Sequence, residues 1–235
     1  MISEAIILAG GLGTRLRSSV PDLPKCMAPV ARKPFLSYVI EYYLQQGISR
    51  FIFSLGYKHE VILEFLHSSF STLDFAASIE KEPLGTGGAV LKAMSYSNSP
   101  NVLVLNGDTI FEVDLQQLSS FHSQKWSDCT LCLKPMTNSD RYGVVETDSQ
   151  NKVVSFKEKK WYAQSNINGG VYAINKNSFD KILLPEKFSF EKDYLEKYYT
   201  THNFYGLIQD KYFIDIGIPE DFNRAQTELK KDSHN

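Results

Sequence analysis

Residues 8–17 read Leu8-Ala9-Gly10-Gly11-Leu12-Gly13-Thr14-Arg15-Leu16-Arg17, directly after the apolar run Ala5-Ile6-Ile7. A strand that is apolar on both faces belongs inside an α/β sheet covered by helices. The three closely spaced glycines beyond it leave backbone N–H groups unshielded by Cβ atoms, and oriented N–H groups attract anions. Arg15 and Arg17 add fixed positive charge at the same place. The stretch therefore reads as an anion-binding loop at the end of a buried strand. Its spacing separates it from two better-known loops. A dinucleotide fingerprint needs glycine where Leu16 stands, and a P-loop needs Gly-Lys-Ser/Thr where Gly13-Thr14-Arg15 stands, so a third kind of nucleotide loop is required.

Working outward, the first half of the chain alternates strand and helix. Pro34 opens a helix in which Phe35, Tyr38, Val39, Tyr42 and Tyr43 recur at helical spacing, and Gly47 ends it. Strands are expected over 50–55, 75–79 and 102–105, with helices over 59–70 and 87–94 between them. This βαβαβ order implies a mostly parallel sheet with helices on both faces. After Ser123 the pattern turns to strands, over 129–133, 142–147, 153–156 and 170–174, with a hairpin turn over 148–151. We expect this part to be an antiparallel extension forming the second wall of a cleft, because ligands of open α/β sheets bind beyond the carboxyl ends of the strands. Pro219-Glu220-Asp221 starts a last helix, its acidic residues complementing the helix dipole. The aromatic-rich segment 194–205 suits either core or an interface.

Composition limits the partners. A chain of 235 residues is expected to form one domain over residues 1–235. A net charge of −2 gives no basic excess for a general nucleic-acid surface, so any cations must act locally. The N-terminal apolar run is short and lacks a basic lead, so neither a signal peptide nor a membrane helix is expected, and the cytoplasm is the expected compartment. Three cysteines, an odd number, argue against a disulfide framework. Cys129 and Cys132 form a C-x-x-C spacing, but on a strand residues three apart face opposite ways, so no zinc or redox site is expected there.

Chemistry-bearing residues gather where strands stop. Asp108 follows the strand over 102–105 through Asn106-Gly107, and Asp215 ends Tyr212-Phe213-Ile214. Two such carboxylates suit Mg²⁺, which is commonly held by one or two carboxylates plus substrate phosphates. Lys25, between Pro21-Pro24 and Cys26, supplies a compact ammonium for phosphate. The second glycine loop, Glu80-Lys81-Glu82-Pro83-Leu84-Gly85-Thr86-Gly87-Gly88, has no cation between Lys81 and Lys92, and suits a base or sugar better than a phosphate. In the strand-rich half, Glu158-Lys159 pairs an acceptor for sugar hydroxyls with a cation for a sugar phosphate, and Asn168-Gly169-Gly170 offers close approach to a ligand. Charged loops, a metal pair and no side-chain nucleophile point to transfer at phosphorus by positioning and electrostatics. A sugar 1-phosphate oxygen, already anionic, needs no general base.

In this order, Gly10–Leu16, Pro24-Lys25, Pro83–Gly88, Asn106–Asp108, Glu158-Lys159 and Asp215–Asp221 resemble the motifs of the sugar nucleotidyltransferases, over nearly the whole chain. The resemblance implies a Rossmann-like mixed α/β fold with an antiparallel sugar-binding extension. It also implies a reaction in which a sugar 1-phosphate attacks the α-phosphorus of a nucleoside triphosphate and pyrophosphate leaves. Carried over by position, Leu8, Ala9, Gly10, Gly11, Gly13, Thr14, Glu82, Pro83, Gly85 and Thr86 would surround the nucleotide. Arg15, Lys25 and Asp108 would act at the phosphates, and Asp108 and Asp215 would bind Mg²⁺. Asn106, Gly143, Glu158, Lys159, Asn168 and Gly169 would hold the sugar phosphate. Within the family, Asp140–Gly143, Asn168–Tyr172 and Lys187–Glu191 are most similar to the D-glycero-α-D-manno-heptose 1-phosphate guanylyltransferases, which favours GTP. Mannose 1-phosphate guanylyl transfer, thymidylyl or uridylyl transfer to glucose 1-phosphate, and a non-catalytic nucleotide-sugar sensor are the alternatives. A monomer and a homo-oligomer are both compatible with the sequence. No hexapeptide repeat follows, so an attached acyltransferase is not expected.

Overall fold

The computed structural model describes residues 1–11, 16, 20–157 and 159–230. In chain order the first half contains β1 (Glu4–Leu8), the two-residue strands β2 (Pro29–Val30) and β3 (Lys33–Pro34), α1 (Phe35–Gln45), β4 (Arg50–Leu55), α2 (His59–Ser69), β5 (Asp74–Ile79), α3 (Gly85–Met94), β6 (Asn101–Asn106), β7 (Thr109–Phe111) and α4 (Leu115–Gln124). The second half contains β8 (Cys129–Ser139), β9 (Val144–Thr147), β10 (Val153–Lys157), β11 (Tyr162–Asn175), α5 (Lys176–Phe179), a π-helical turn (Phe190–Leu195), α6 (Glu196–Tyr198), β12 (Phe204–Ile208), β13 (Phe213–Asp215) and α7 (Pro219–Glu228).

The main sheet runs β10-β9-β11-β6-β1-β4-β5, with β8 laid on β11 and β12 on β8. Strands β6, β1, β4 and β5 are parallel, as the alternating first half predicts. Direction reverses at β11, which pairs antiparallel with β6 through Val171↔Leu105 to Asn175↔Asn101. Its earlier half leaves the parallel sheet and pairs with β8 and β9, with a register shift between Asn168 and Tyr172. Such a bulge bends the strand and re-aims its side chains. The fold is thus a mixed α/β sheet with a parallel nucleus and an antiparallel wing hinged on one long strand.

Alternation along the parallel strands packs both faces. Ile7, Phe53 and Leu105 point into one core with Phe35, Val39 and Leu118, while Ile6, Ile52 and Val104 point into the other with Val90, Met94 and Tyr194. Cys129 and Cys132 fall on opposite sides, one in each core, and both are free buried thiols. Tyr194 and Phe204 are fully buried, so much of the aromatic segment is core. Helix α1 also braces the far edge of the site: Tyr43 donates to the Phe111 carbonyl at 2.9 Å and Tyr42 to the Val113 carbonyl at 3.1 Å.

Several boundaries differ from the sequence expectation. Strands β8 and β11 extend well past 129–133 and 170–174, because their outer halves are polar and partly exposed, which hides them from an apolar pattern. Tyr142 and Gly143 lie before β9, not in it. Helix α3 starts at Gly85 rather than 87, and α4, capped by the Asp114 carboxylate on the Gln117 amide at 2.8 Å, has no counterpart in the sequence reading.

Candidate active site

Strands β1, β4 and β6 end side by side, and two cavities open above them. The first, about 660 Å³, is lined by Leu8, Gly10 and Gly11 on one side and by Glu82, Pro83, Gly85 and Thr86 on the other, with Asp108 between. The second, about 550 Å³, lies toward the antiparallel wing and holds Gly143, Asn168, Gly169, Lys159 and Asp215. Asn106 and Glu191 line both. Expected nucleotide and sugar residues thus segregate into adjoining chambers that meet at the end of β6.

One expected residue is not in the wall. Ala9 packs its side chain in the core, and its amide donates to the Ser54 carbonyl at 2.9 Å. Strand alternation accounts for this, since Leu8 and Gly10 take the cavity side. Gly13, Thr14, Arg15 and Glu158 lie outside the described residues.

The first chamber is shaped by the second glycine loop, over 80–88. The Glu80 carboxylate accepts from the Leu84 amide at 2.9 Å and from Ser54 Oγ at 3.3 Å, tying the loop to β4. Gly85 has φ +74, and a Cβ there would stand 2.5 Å from the Phe188 carbonyl oxygen, so this turn requires glycine. Gly87 donates to that same oxygen at 3.0 Å, which laces the loop to the chain over 186–191. Ser54, Glu80 and Glu191 carry no assignment from the sequence; a carboxylate five residues before the start of α3 is the signal for Glu80.

In the second chamber, Asn168 Nδ2 donates to the Tyr172 hydroxyl at 2.9 Å, and the Asn168 amide donates to the Gly143 carbonyl at 3.0 Å. Gly170, at φ +72 in the bulge, lies against the Asn106 side chain with no room for a Cβ. Lys159 and Lys192 bring exposed ammonium groups to this chamber, and Lys157 pairs with Glu146. Arg141, just before Tyr142 and Gly143, is held by Asp221 of α7.

Between the chambers, β13 pairs with β7 through Asp215↔Thr109, which brings Asp215 beside Asp108. Lys25 Nζ donates to Asp108 and lies 3.4 Å from Asp215 Oδ1. The Gly217 amide donates to Asp215 Oδ1 at 2.8 Å. Burial, then the neighbouring Asp108 charge, raise the Asp215 pKa above the usual carboxylate value, against the opposing pull of Lys25. Burial and the charge of Asp215 push the Tyr142 phenol up to about 12, so it is a neutral wall residue at neutral pH. Burial, helped by Asp108, pushes the Cys26 thiol up to about 12 as well, so it supplies no thiolate nucleophile. Among the described residues, no group of three or more His, Cys, Asp or Glu side chains is arranged to hold a metal, so the aspartate pair stands by itself. No helix among them is long and apolar enough to cross a membrane.

Two adjoining chambers that meet at two carboxylates and an ammonium suit transfer at a phosphate. The D-glycero-α-D-manno-heptose 1-phosphate guanylyltransferase of Aneurinibacillus thermoaerophilus is 52% identical over 97% of this chain and 98% of its own. The enzyme of the same name from Campylobacter jejuni is 47% identical over 93% and 96%. The crystal structure of HddC from Yersinia pseudotuberculosis complexed with GMP-PN superposes with a TM-score of 0.88 at 37% identity, covering 97% of this chain and 100% of that one. Residues 4–232 match the Nucleotidyl transferase family, and the chain belongs to it.

Proposed function

We propose that the protein transfers a guanylyl group from GTP to D-glycero-α-D-manno-heptose 1-phosphate, releasing pyrophosphate and forming the GDP-sugar. The carrying observation is the meeting of two chambers at Asn106, Asp108 and Asp215, which supports a reading in which a nucleotide α-phosphate meets a sugar phosphate there. Identity of 52% and 47% with two heptose 1-phosphate guanylyltransferases, over nearly their full lengths, supports the choice of base and sugar.

In this reading a sugar-phosphate oxygen forms the new bond to the α-phosphorus while the bond to the β-phosphate oxygen breaks, and that oxygen leaves with the electron pair as pyrophosphate. The protein positions and neutralises. Gly10, Gly11, Gly13 and Thr14 with Glu82, Pro83, Gly85 and Thr86 hold the nucleotide. Asn106, Gly143, Glu158, Lys159, Asn168 and Gly169 hold the sugar phosphate. Lys25 and Arg15 stabilise charge developing between the phosphates.

Asp108 and Asp215 would hold Mg²⁺. Two carboxylates already converging on one cationic point, with Asp215 raised by its neighbour's charge, fit an ion whose remaining ligands are phosphate oxygens and water. Bound there, the ion would neutralise phosphate charge.

The test is pyrophosphate release from four nucleoside triphosphates paired with heptose, mannose and glucose 1-phosphates. Turnover is expected to be fastest with GTP and heptose 1-phosphate. No turnover with any pair would defeat the enzyme reading, and preference for another pair would defeat the substrate assignment.

A further inference from the structure

Glu191 is the second residue of the π-helical turn Phe190–Leu195, two positions after its N-cap Ser189. Turns of this kind interrupt helices mostly where function requires an unusual side-chain placement. The carboxylate is fixed from two sides: Oε2 accepts from Thr86 Oγ1 at 2.8 Å and from Ser189 Oγ at 3.1 Å. Thr86 Oγ1 is held in turn, accepting from the Phe190 amide at 2.9 Å. Thr86 belongs to the loop of the nucleotide chamber, so the carboxylate is anchored from that side and stands at the mouth of the sugar chamber.

The second oxygen, Oε1, has no partner among the described residues, and the carboxylate makes no ion pair among them although Lys192 is its neighbour. Its charge is felt across the sugar chamber, where it helps raise the pKa of Tyr172, after the larger effect of burial. A fixed carboxylate oxygen without a countercharge repels phosphate, but is a strong acceptor for a hydroxyl. The lysines of the same chamber are the groups suited to phosphate.

We propose that Glu191 is a specificity-determining residue whose Oε1 accepts a hydrogen bond from one hydroxyl of the sugar in the second chamber. The assignment rests on the sugar-nucleotide reading above. It implies that the nucleotide loop, through Thr86, sets the position from which the sugar is read.

The test crosses protein and substrate deletions. The wild-type chain and Glu191→Ala are assayed for pyrophosphate release with GTP and a series of heptose or mannose 1-phosphates, each lacking one hydroxyl. For one hydroxyl, the wild type is expected to lose about 10- to 100-fold in kcat/KM, and the variant at most about twofold, while losses at other positions match. A conservative Glu191→Gln, which keeps an acceptor oxygen without the charge, is expected to show an intermediate loss at the same hydroxyl, and serves if the alanine variant does not fold. Equal losses in both enzymes at every sugar position would overturn the assignment. So would coupling that appears only with 2′- or 3′-deoxy-GTP, which would place the contact on the ribose. Absence of wild-type turnover would instead defeat the underlying reaction.

Discussion

Asp108 and Asp215 face each other with a single ammonium, that of Lys25, between them. Lys25 and Asp215 are 190 residues apart in sequence, and the short ladder of β7 with β13 sets Asp215 beside Asp108, where Lys25 reaches both. Replacing either carboxylate removes half of the expected Mg²⁺ anchorage while leaving the ladder's backbone intact. Asp108→Asn is expected to lower kcat/KM by about 100-fold or more with a melting temperature close to wild type. Pyrophosphate release against Mg²⁺ concentration, together with a thermal melt, checks this; unchanged activity would remove Asp108 from the metal site.

If Asp108 and Asp215 hold Mg²⁺ as proposed, Lys25 and the ion compete for the same pair of charges. In Lys25→Met the carboxylates lose their countercharge. Mn²⁺ is then expected to bind the nucleotide-free protein about tenfold more tightly than it binds wild type, even though turnover falls. Titration followed by electron paramagnetic resonance measures this without any catalysis, and equal affinity in the two proteins would show that the ammonium does not guard the site.

Gly170→Ala should damage both chambers at once. A Cβ there runs into the Asn106 side chain, and the backbone at φ +72 resists any residue but glycine. Because Asn106 lines both cavities, KM is expected to rise several-fold for each substrate. The strain costs roughly 1–3 kcal/mol of stability. Steady-state kinetics with each substrate varied in turn, plus urea melts, measure the two effects.

Asp221 is buried and takes hydrogen bonds from both Arg141 and Arg224, the latter at 2.7 Å. Its removal frees the segment leading to Tyr142 and Gly143 in the sugar chamber. Asp221→Ala is expected to raise KM for the sugar 1-phosphate several-fold and leave that for GTP unchanged, with a stability loss of about 1–3 kcal/mol. A rise confined to GTP would contradict the placement.

His122 supplies a pH test of the fold itself. Burial lowers its pKa from 6.5 to about 4, with its ring 2.8 Å from Thr130 Oγ1 and 3.2 Å from Asn101 Oδ1. The unfolded chain therefore takes up a proton before the folded one does. The stabilisation is complete above pH 6.5 and is lost progressively as pH falls toward 4, by up to about 3 kcal/mol. Denaturant melts at pH 7.5, 5.5 and 4.5 are expected to show this slope in wild type and a flatter one in His122→Asn.

Local pattern carried the parallel nucleus and failed in the wing for a physical reason. In β1, β4 and β6 both faces are buried, so the central runs Ala5-Ile6-Ile7, Phe51-Ile52-Phe53 and Val102-Leu103-Val104-Leu105 are wholly apolar and the strands announce themselves. The outer halves of β8 and β11 are only partly buried, and polar stretches such as Thr137-Asn138-Ser139 and Gln164-Ser165-Asn166 hide the strand. The same logic kept α4 out of sight: Leu115 and Leu118 are interrupted by Gln116-Gln117 and Ser119-Ser120. Asp108 and Asp215 stand out in the sequence because each lies where an apolar run stops, within two residues of a glycine, whereas Glu191 has no such mark. Its place depends on a π-helical turn meeting Thr86, a contact across 105 residues that no local spacing encodes. The opposite fates of Cys129 and Cys132 followed from the two-residue period alone.

The lacing of the 84–88 loop to the chain over 186–191 also orders events in time. The glycine loops and the strands beneath them leave the ribosome first, but the stretch that holds the second loop in place comes about a hundred residues later, and Asp215 later still. A nascent chain is therefore expected to have no finished pocket until nearly all of it has emerged, so GTP cannot stabilise the growing polypeptide and only the finished one gains from binding it.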